Sequence, residues 1–111
     1  MNNQVNQNDR FSTNIDTATK SLRGNEFEKA YEMITEAMRL APDSPQPHNL
    51  LGIYFELNGN DDKARRHYRA AYALDPSYKP ACWNLEQICT LLGNTKLRTF
   101  DFGDEQTKAL I

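Results

Sequence analysis

Slid against itself by 34 residues, the chain coincides at the positions where two packed helices constrain each other. Ala30 falls on Ala64, Ala37 on Ala71, Leu40 on Leu74 and Pro42 on Pro76. In the next interval Leu51 falls on Leu85, Phe55 on Cys89, Gly59 on Gly93 and Asn60 on Asn94. A period of this length marks one supersecondary unit, stacked on copies of itself because a single unit cannot bury its apolar face. Small residues at fixed points let antiparallel helices approach, and bulky ones fill the groove between units.

The stretches between these anchors read as helices. Block 26–40 places Phe27, Ala30, Tyr31, Ile34, Ala37, Met38 and Leu40 at helical spacing, and Pro42 follows its end. Asp43-Ser44-Pro45 reads as a capping side chain followed by proline at the first position of a helix over 45–57. That helix carries Leu50, Leu51, Ile53, Tyr54, Phe55 and Leu57, apolar around most of its circumference, so it must be covered on more than one side. Asn58-Gly59-Asn60 turns the chain, with Asp61 expected as the N-cap of a helix over 61–74. A further helix is expected from near Tyr78 to before Gly93. No strand-like alternation interrupts them, so the expected class is all-α, built from antiparallel helix hairpins.

The central unit resembles the tetratricopeptide repeat. Leu51, Gly52, Phe55, Ala64, Tyr68, Ala71 and Pro76 stand at seven of the eight positions of that family's pattern, and His48 replaces its tryptophan. The unit starting near Phe11 keeps Ala18 in a degenerate first helix, then Ala30, Ala37 and Pro42. The unit starting at Lys79 keeps Ala81, Asn84 and Leu85, with Trp83 one position late and Glu86 in place of glycine. The resemblance covers residues 11–93: repeats near 11–44 and 45–78, and the first helix of a third at 79–92. It implies a right-handed superhelical array of helix hairpins with a concave groove lined by the first helix of each.

Carried over residue by residue, the resemblance places Ile15, Asp16, Thr19, Leu22 and Arg23 in that groove. The second unit supplies Gln46, Asn49, Leu50, Ile53, Glu56 and Leu57. The third supplies Trp83, Asn84, Gln87, Thr90 and Leu91. The implied partner is a protein or peptide segment. Amide side chains of Asn49, Asn84 and Gln87 can bond to an extended backbone, with Leu50, Ile53 and Trp83 in apolar contact. The competing reading packs Trp83 and Ile53 between repeats. The charged clamp by which some family members hold a C-terminal carboxylate is absent, since its positions read Ile15, Thr19, Leu50, Pro80 and Asn84. The expected role is a non-enzymatic adaptor; the alternative is a chaperone or regulatory subunit for one client, using the same surface.

A third reading uses Lys63, Arg65, Arg66 and Arg69, with His67, as a basic surface for nucleic-acid phosphates. Against it stands a solvated convex face partly paired with Asp61 and Asp62, with Tyr68 and Tyr72 turned toward the packing side. The totals do not favour a polyanion or an anionic membrane: 13 basic and 15 acidic residues are interleaved to a net charge of −2.

No cofactor or metal is expected. His48 and His67 fall on different helices, and no His or Cys completes a ligand set beside the acidic residues. Cys82 and Cys89, seven apart on one helix, are separated by roughly 10 Å, too far for an intrachain disulfide. They read as buried thiols of a reducing compartment. No apolar run suits a signal segment or reaches the ~18 residues of a membrane helix, which places the protein in the cytoplasm. Residues 1–10, with six Asn or Gln, are expected to form a disordered tail. Residues 94–111 lack the repeat's alanine pair and closing proline. Leu97, Phe100 and Phe102 are expected to fold back with a short helix over 105–111 as a cap, or the open face to pair with a second protomer in a homodimer.

Overall fold

The computed structural model describes residues 6–90 and 98–104. Among them every regular element is an α-helix: α1 (Gln7–Arg23), α2 (Phe27–Leu40), α3 (Gln46–Leu57), α4 (Asp61–Leu74) and α5 (Lys79–Thr90). The expected helix over 105–111, the cap residue Leu97, the groove residue Leu91 and the helix end at Gly93 lie outside the described residues.

Helix α1 starts earlier than composition suggested, and the tail expected over 1–10 is corrected at its inner end. The Asn6 side chain accepts from the main-chain N–H of Asp9 at 2.8 Å and caps the helix. Asp9 in the first turn and Lys20 and Arg23 in the last complement the helix dipole. Arg10 also reaches Glu36 on α2, 3.6 Å away. A polar composition is therefore compatible with a capped helix that docks on a neighbour.

Two further caps differ from expectation. Asn60, not Asp61, caps α4, accepting from Lys63 N at 3.1 Å, while Asp61 and Asp62 occupy the first turn. Pro45 is itself the cap residue of α3, with no side-chain cap bond from the residues before it; Pro47 sits in the first turn. Proline is tolerated there because the first-turn N–H groups have no intrahelical acceptor.

Helix α1 packs on α2, α3 on α4 and α4 on α5, while α2 meets α3 across the hairpins. The odd-numbered helices also adjoin, α1 to α3 and α3 to α5, so they form one layer behind which α2 and α4 lie. Ala18, Leu22, Ala30, Ile34, Leu50, Leu51, Ile53, Ala64 and Tyr68 make the buried core. Leu22 and Ile53 thus belong to the core, at 1% and 0% exposure, rather than to an open groove wall.

The tightest crossing is Gly52 against Tyr68. A Cβ at position 52 would stand 2.7 Å from Cζ of Tyr68 and closer still to one edge of the ring. Tyr72, by contrast, is half exposed and does not share the packing side with Tyr68. Nor are the two cysteines buried thiols. Cys82 is half-buried and Cys89 exposed.

Candidate functional site: the groove and its occupant

The layer formed by α1, α3 and α5 presents a polar centre inside an apolar rim. Asn49 on α3 and Asn84 on α5 are both fully buried. Helix periodicity brings them face to face, and Asn84 Nδ2 donates to Asn49 Oδ1 at 2.8 Å. Buried amides of this kind need partners for every remaining donor and acceptor. The partners come from the chain's own residues 98–104.

That segment lies across α3 and α5 without regular structure of its own. Asn49 Nδ2 and Asn84 Nδ2 both donate to the main-chain oxygen of Asp101, at 3.0 and 2.9 Å. Asp101 N in turn donates to Asn84 Oδ1 at 3.0 Å. The Asn84 amide therefore reads the donor and the acceptor of a single residue's main chain, which is how an amide side chain holds an extended peptide whatever its sequence.

Side chains on either side of Asp101 add sequence-dependent contacts. Arg98 Nε and Nη2 reach the two carboxylate oxygens of Glu56 at 3.1 and 2.9 Å, in a pair whose side chains are 10% and 7% exposed. The Tyr68 hydroxyl donates to the same carboxylate at 3.3 Å. Burial raises the Glu56 pKa, and the Arg98 guanidinium pulls against that rise. Burial likewise pushes the Tyr68 phenol upward, so it stays a donor at neutral pH. The Arg98 guanidinium lies 4.4 Å above the Phe100 ring and 5.7 Å from that of Trp83.

At the other end, Arg23 on α1 forms a two-pronged pair with Asp104, one limb at 3.1 Å, and stacks 4.2 Å over Phe102. Gly103 has φ of +79°, and its open side abuts the Tyr78 hydroxyl. A side chain at 103 would meet both constraints at once. Phe100 and Phe102 pack on the core cluster.

The segment does not fill the whole groove. Toward α1 a cavity of about 280 Å³ remains, bounded by Phe11, Ile15, Asp16, Gln46, Leu50 and the Phe102–Asp104 edge of the segment. Thr19 also borders it, but is itself buried and returns its hydroxyl to Ile15 O at 2.9 Å. On α5, Gln87 is half-buried, and Thr90 is exposed with its hydroxyl on Glu86 O at 2.7 Å.

The structure thus joins Asn49, Glu56, Trp83 and Asn84 through one bound segment, and sets Ile15, Gln46 and Leu50 beside the open cavity. The sequence did not point to Arg98 or Asp101, although Arg98-Thr-Phe-Asp-Phe-Gly-Asp104 alternates charge and aromatic character just where the repeat pattern stops. Nor did it bring His48 to His67. Their Nδ1 atoms are 3.2 Å apart, and the His67 ring stacks on Phe55. Burial lowers both histidine pKa values, and the neighbouring ring and Lys63 lower that of His67 further. On the basic surface Lys63, Arg66 and Arg69 are exposed, while Arg65 is half-buried and paired with Asp62 at 2.6 Å. Among the described residues no group of three or more His, Cys, Asp or Glu could hold a metal ion, and no helix is long and apolar enough to cross a membrane.

Residues 45–78, which form α3, α4 and their flanking turns, match the family model of the tetratricopeptide repeat. Over these residues the chain carries one tetratricopeptide repeat. Comparison with curated proteins and with solved structures finds no match. Tetratricopeptide repeats are in general non-enzymatic protein–protein interaction modules, and the matched residues include the Gly52–Tyr68 crossing together with Asn49 and Glu56. The repeat therefore supplies half of the polar centre, and α5 beyond it supplies the other half through Asn84.

Proposed function

We propose that this protein is an adaptor that holds an extended segment of a partner polypeptide in the groove formed by α1, α3 and α5, the concave side of a right-handed superhelical array. One observation carries the reading: the buried Asn84 amide bonds both the N–H and the C=O of a single residue, Asp101, with Asn49 sharing the same acceptor. Buried asparagines serve packing poorly, since an apolar side chain fills the space with no polar atoms left to satisfy. They serve backbone recognition well. The free thiols of Cys82 and Cys89 favour the cytoplasm as the place of work.

The test is an array of extended peptides read with the full chain carrying Phe100→Ala/Phe102→Ala, which weakens the internal occupant. The expected result is a set of binders lost at least ten-fold when Asn49→Ala/Asn84→Ala is added, with helicity by circular dichroism retained. An array without binders, or binders indifferent to the two asparagines, removes the groove as the site.

A further inference from the structure

We infer that the partner segment of this groove is an extended stretch of the order aromatic, acidic, aromatic, glycine, acidic, preceded by arginine two residues before the first aromatic, and that residues 98–104 are its in-cis competitor. The inference rests on the groove reading above and adds the ligand's chemistry to it. The arginine, the second aromatic, the glycine and the final acid each answer a feature of the groove wall. Arginine is set by the buried Glu56 carboxylate, at 2.9–3.1 Å, and by the Trp83 ring. The second aromatic is set by the Arg23 guanidinium at 4.2 Å, and the final acid by the same guanidinium's two-pronged pair. Glycine is demanded twice, by φ of +79° and by the Tyr78 hydroxyl against its open side. The central acidic residue accepts from Gly103 N at 2.8 Å, shaping the turn that positions the glycine.

None of these contacts depends on the covalent connection through residues 91–97. They are made by side chains and by the main chain of Asp101 and Gly103, so a separate peptide can make all of them. A segment on the same chain as its groove acts at an effective concentration on the order of millimolar. An identical segment in trans must reach that level to displace half of it. A natural partner gains its advantage from contacts the internal segment lacks, and the cavity toward Phe11, Ile15 and Leu50 lies beside the acidic end, where such contacts can be added.

The test uses a synthetic peptide with the sequence of residues 98–104 against the ¹⁵N-labelled full chain. In wild type at millimolar peptide, the Asp101 amide is expected to move to the position of an unpaired amide, while the Asn84 side-chain amide keeps its bonded position. In Phe100→Ala/Phe102→Ala the same peptide is expected to bind at least ten-fold more tightly. Its reversed sequence and its Gly103→Ala form are expected to bind at least ten-fold more weakly. If that variant fails to fold, the wild-type exchange decides alone.

No displacement of Asp101 in wild type, or equal binding by the reversed peptide, overturns the inference. So does a wild-type dimer at micromolar concentration that exchanges segments 98–104, since the occupant is then a second copy. Array binders of unrelated sequence leave the groove reading standing and remove only this ligand order; an array without binders removes both.

Discussion

Asn49 and Asn84, 35 residues apart in sequence, donate to one acceptor, the main-chain oxygen of Asp101, and bond to each other at 2.8 Å. Two helices, α3 and α5, thereby share the recognition of a single peptide group. The relationship makes the segment's position a property of the helix layer: any change in how α3 and α5 pack alters the spacing of the two donors. It also ties the folding of the domain to occupancy of its groove, because both amides are fully buried while the segment is bound.

Asn84→Ala is expected to strip the Asp101 N–H and C=O of their Asn84 partners and to remove the donor that Asn49 Oδ1 accepts from. Losing hydrogen bonds at a buried centre costs about 1–3 kcal/mol. The loss should fall on the bound segment first. Hydrogen exchange at the Asp101 amide should accelerate at least ten-fold, with the helical amides of α2 and α4 unchanged. An Asp101 amide as protected as in wild type contradicts the assignment of that bond.

Arg98→Ala removes one member of a nearly buried pair and leaves Glu56 facing the groove. Stranding a buried charge costs about 3–5 kcal/mol when nothing can move. Here the segment can lift and let water reach Glu56, so the penalty is capped by the free energy of docking the segment. The expected outcome is release of residues 98–104, seen as a change in Trp83 fluorescence, with a small loss of global stability in urea. Glu56→Gln/Arg98→Met, which keeps the apolar packing, should retain the docked fluorescence. A fall in global stability as large as the stranded-charge figure would show that the segment cannot leave.

The helix order, the hairpins and the core were legible because they rest on local periodicity and on small residues at repeat spacing: Ala30, Ala64 and Ala71 sit at 0% exposure. Only the family resemblance drew attention to Asn49 and Asn84, and their bond to each other was not legible. The occupant was not legible, because Arg98 meets Glu56 across 42 residues and Arg23 meets Asp104 across 81, pairings that no local pattern encodes. Cap identity failed for a different reason. Asn60 and Asp61 are both good caps by composition, and only the turn geometry after Gly59 decides which side chain faces the open N–H groups.

Gly52→Ala tests the crossing that sets the spacing between α3 and α4. The added methyl overlaps the Tyr68 ring, which is itself fully buried and tied through its hydroxyl to Glu56, so the ring cannot swing away freely. Overpacking of this kind costs about 1–3 kcal/mol. Urea unfolding should show that loss, and Gly52→Ala/Tyr68→Leu should recover part of it by freeing the space. A Gly52→Ala chain as stable as wild type would place the ring elsewhere.

The His48–His67 contact gives the protein a dependence on pH whose sign follows from burial. Both rings are held below the ordinary histidine value of about 6.5. In the folded chain a proton on either ring must be accommodated beside the other ring, with Nδ1 atoms 3.2 Å apart and Lys63 close by over Phe55. The unfolded chain therefore binds protons first as pH falls. Linkage then makes stability full above about pH 6.5 and lost progressively below it, down to the lowered folded values. Urea midpoints measured from pH 7.5 to 5 should fall accordingly, and His67→Phe, which keeps a ring against Phe55, should flatten the slope over that window. The Glu56 carboxylate acts in the opposite direction, since its raised value weakens the fold as pH rises rather than as it falls. A wild-type slope unaltered by His67→Phe would assign the pH dependence to other groups.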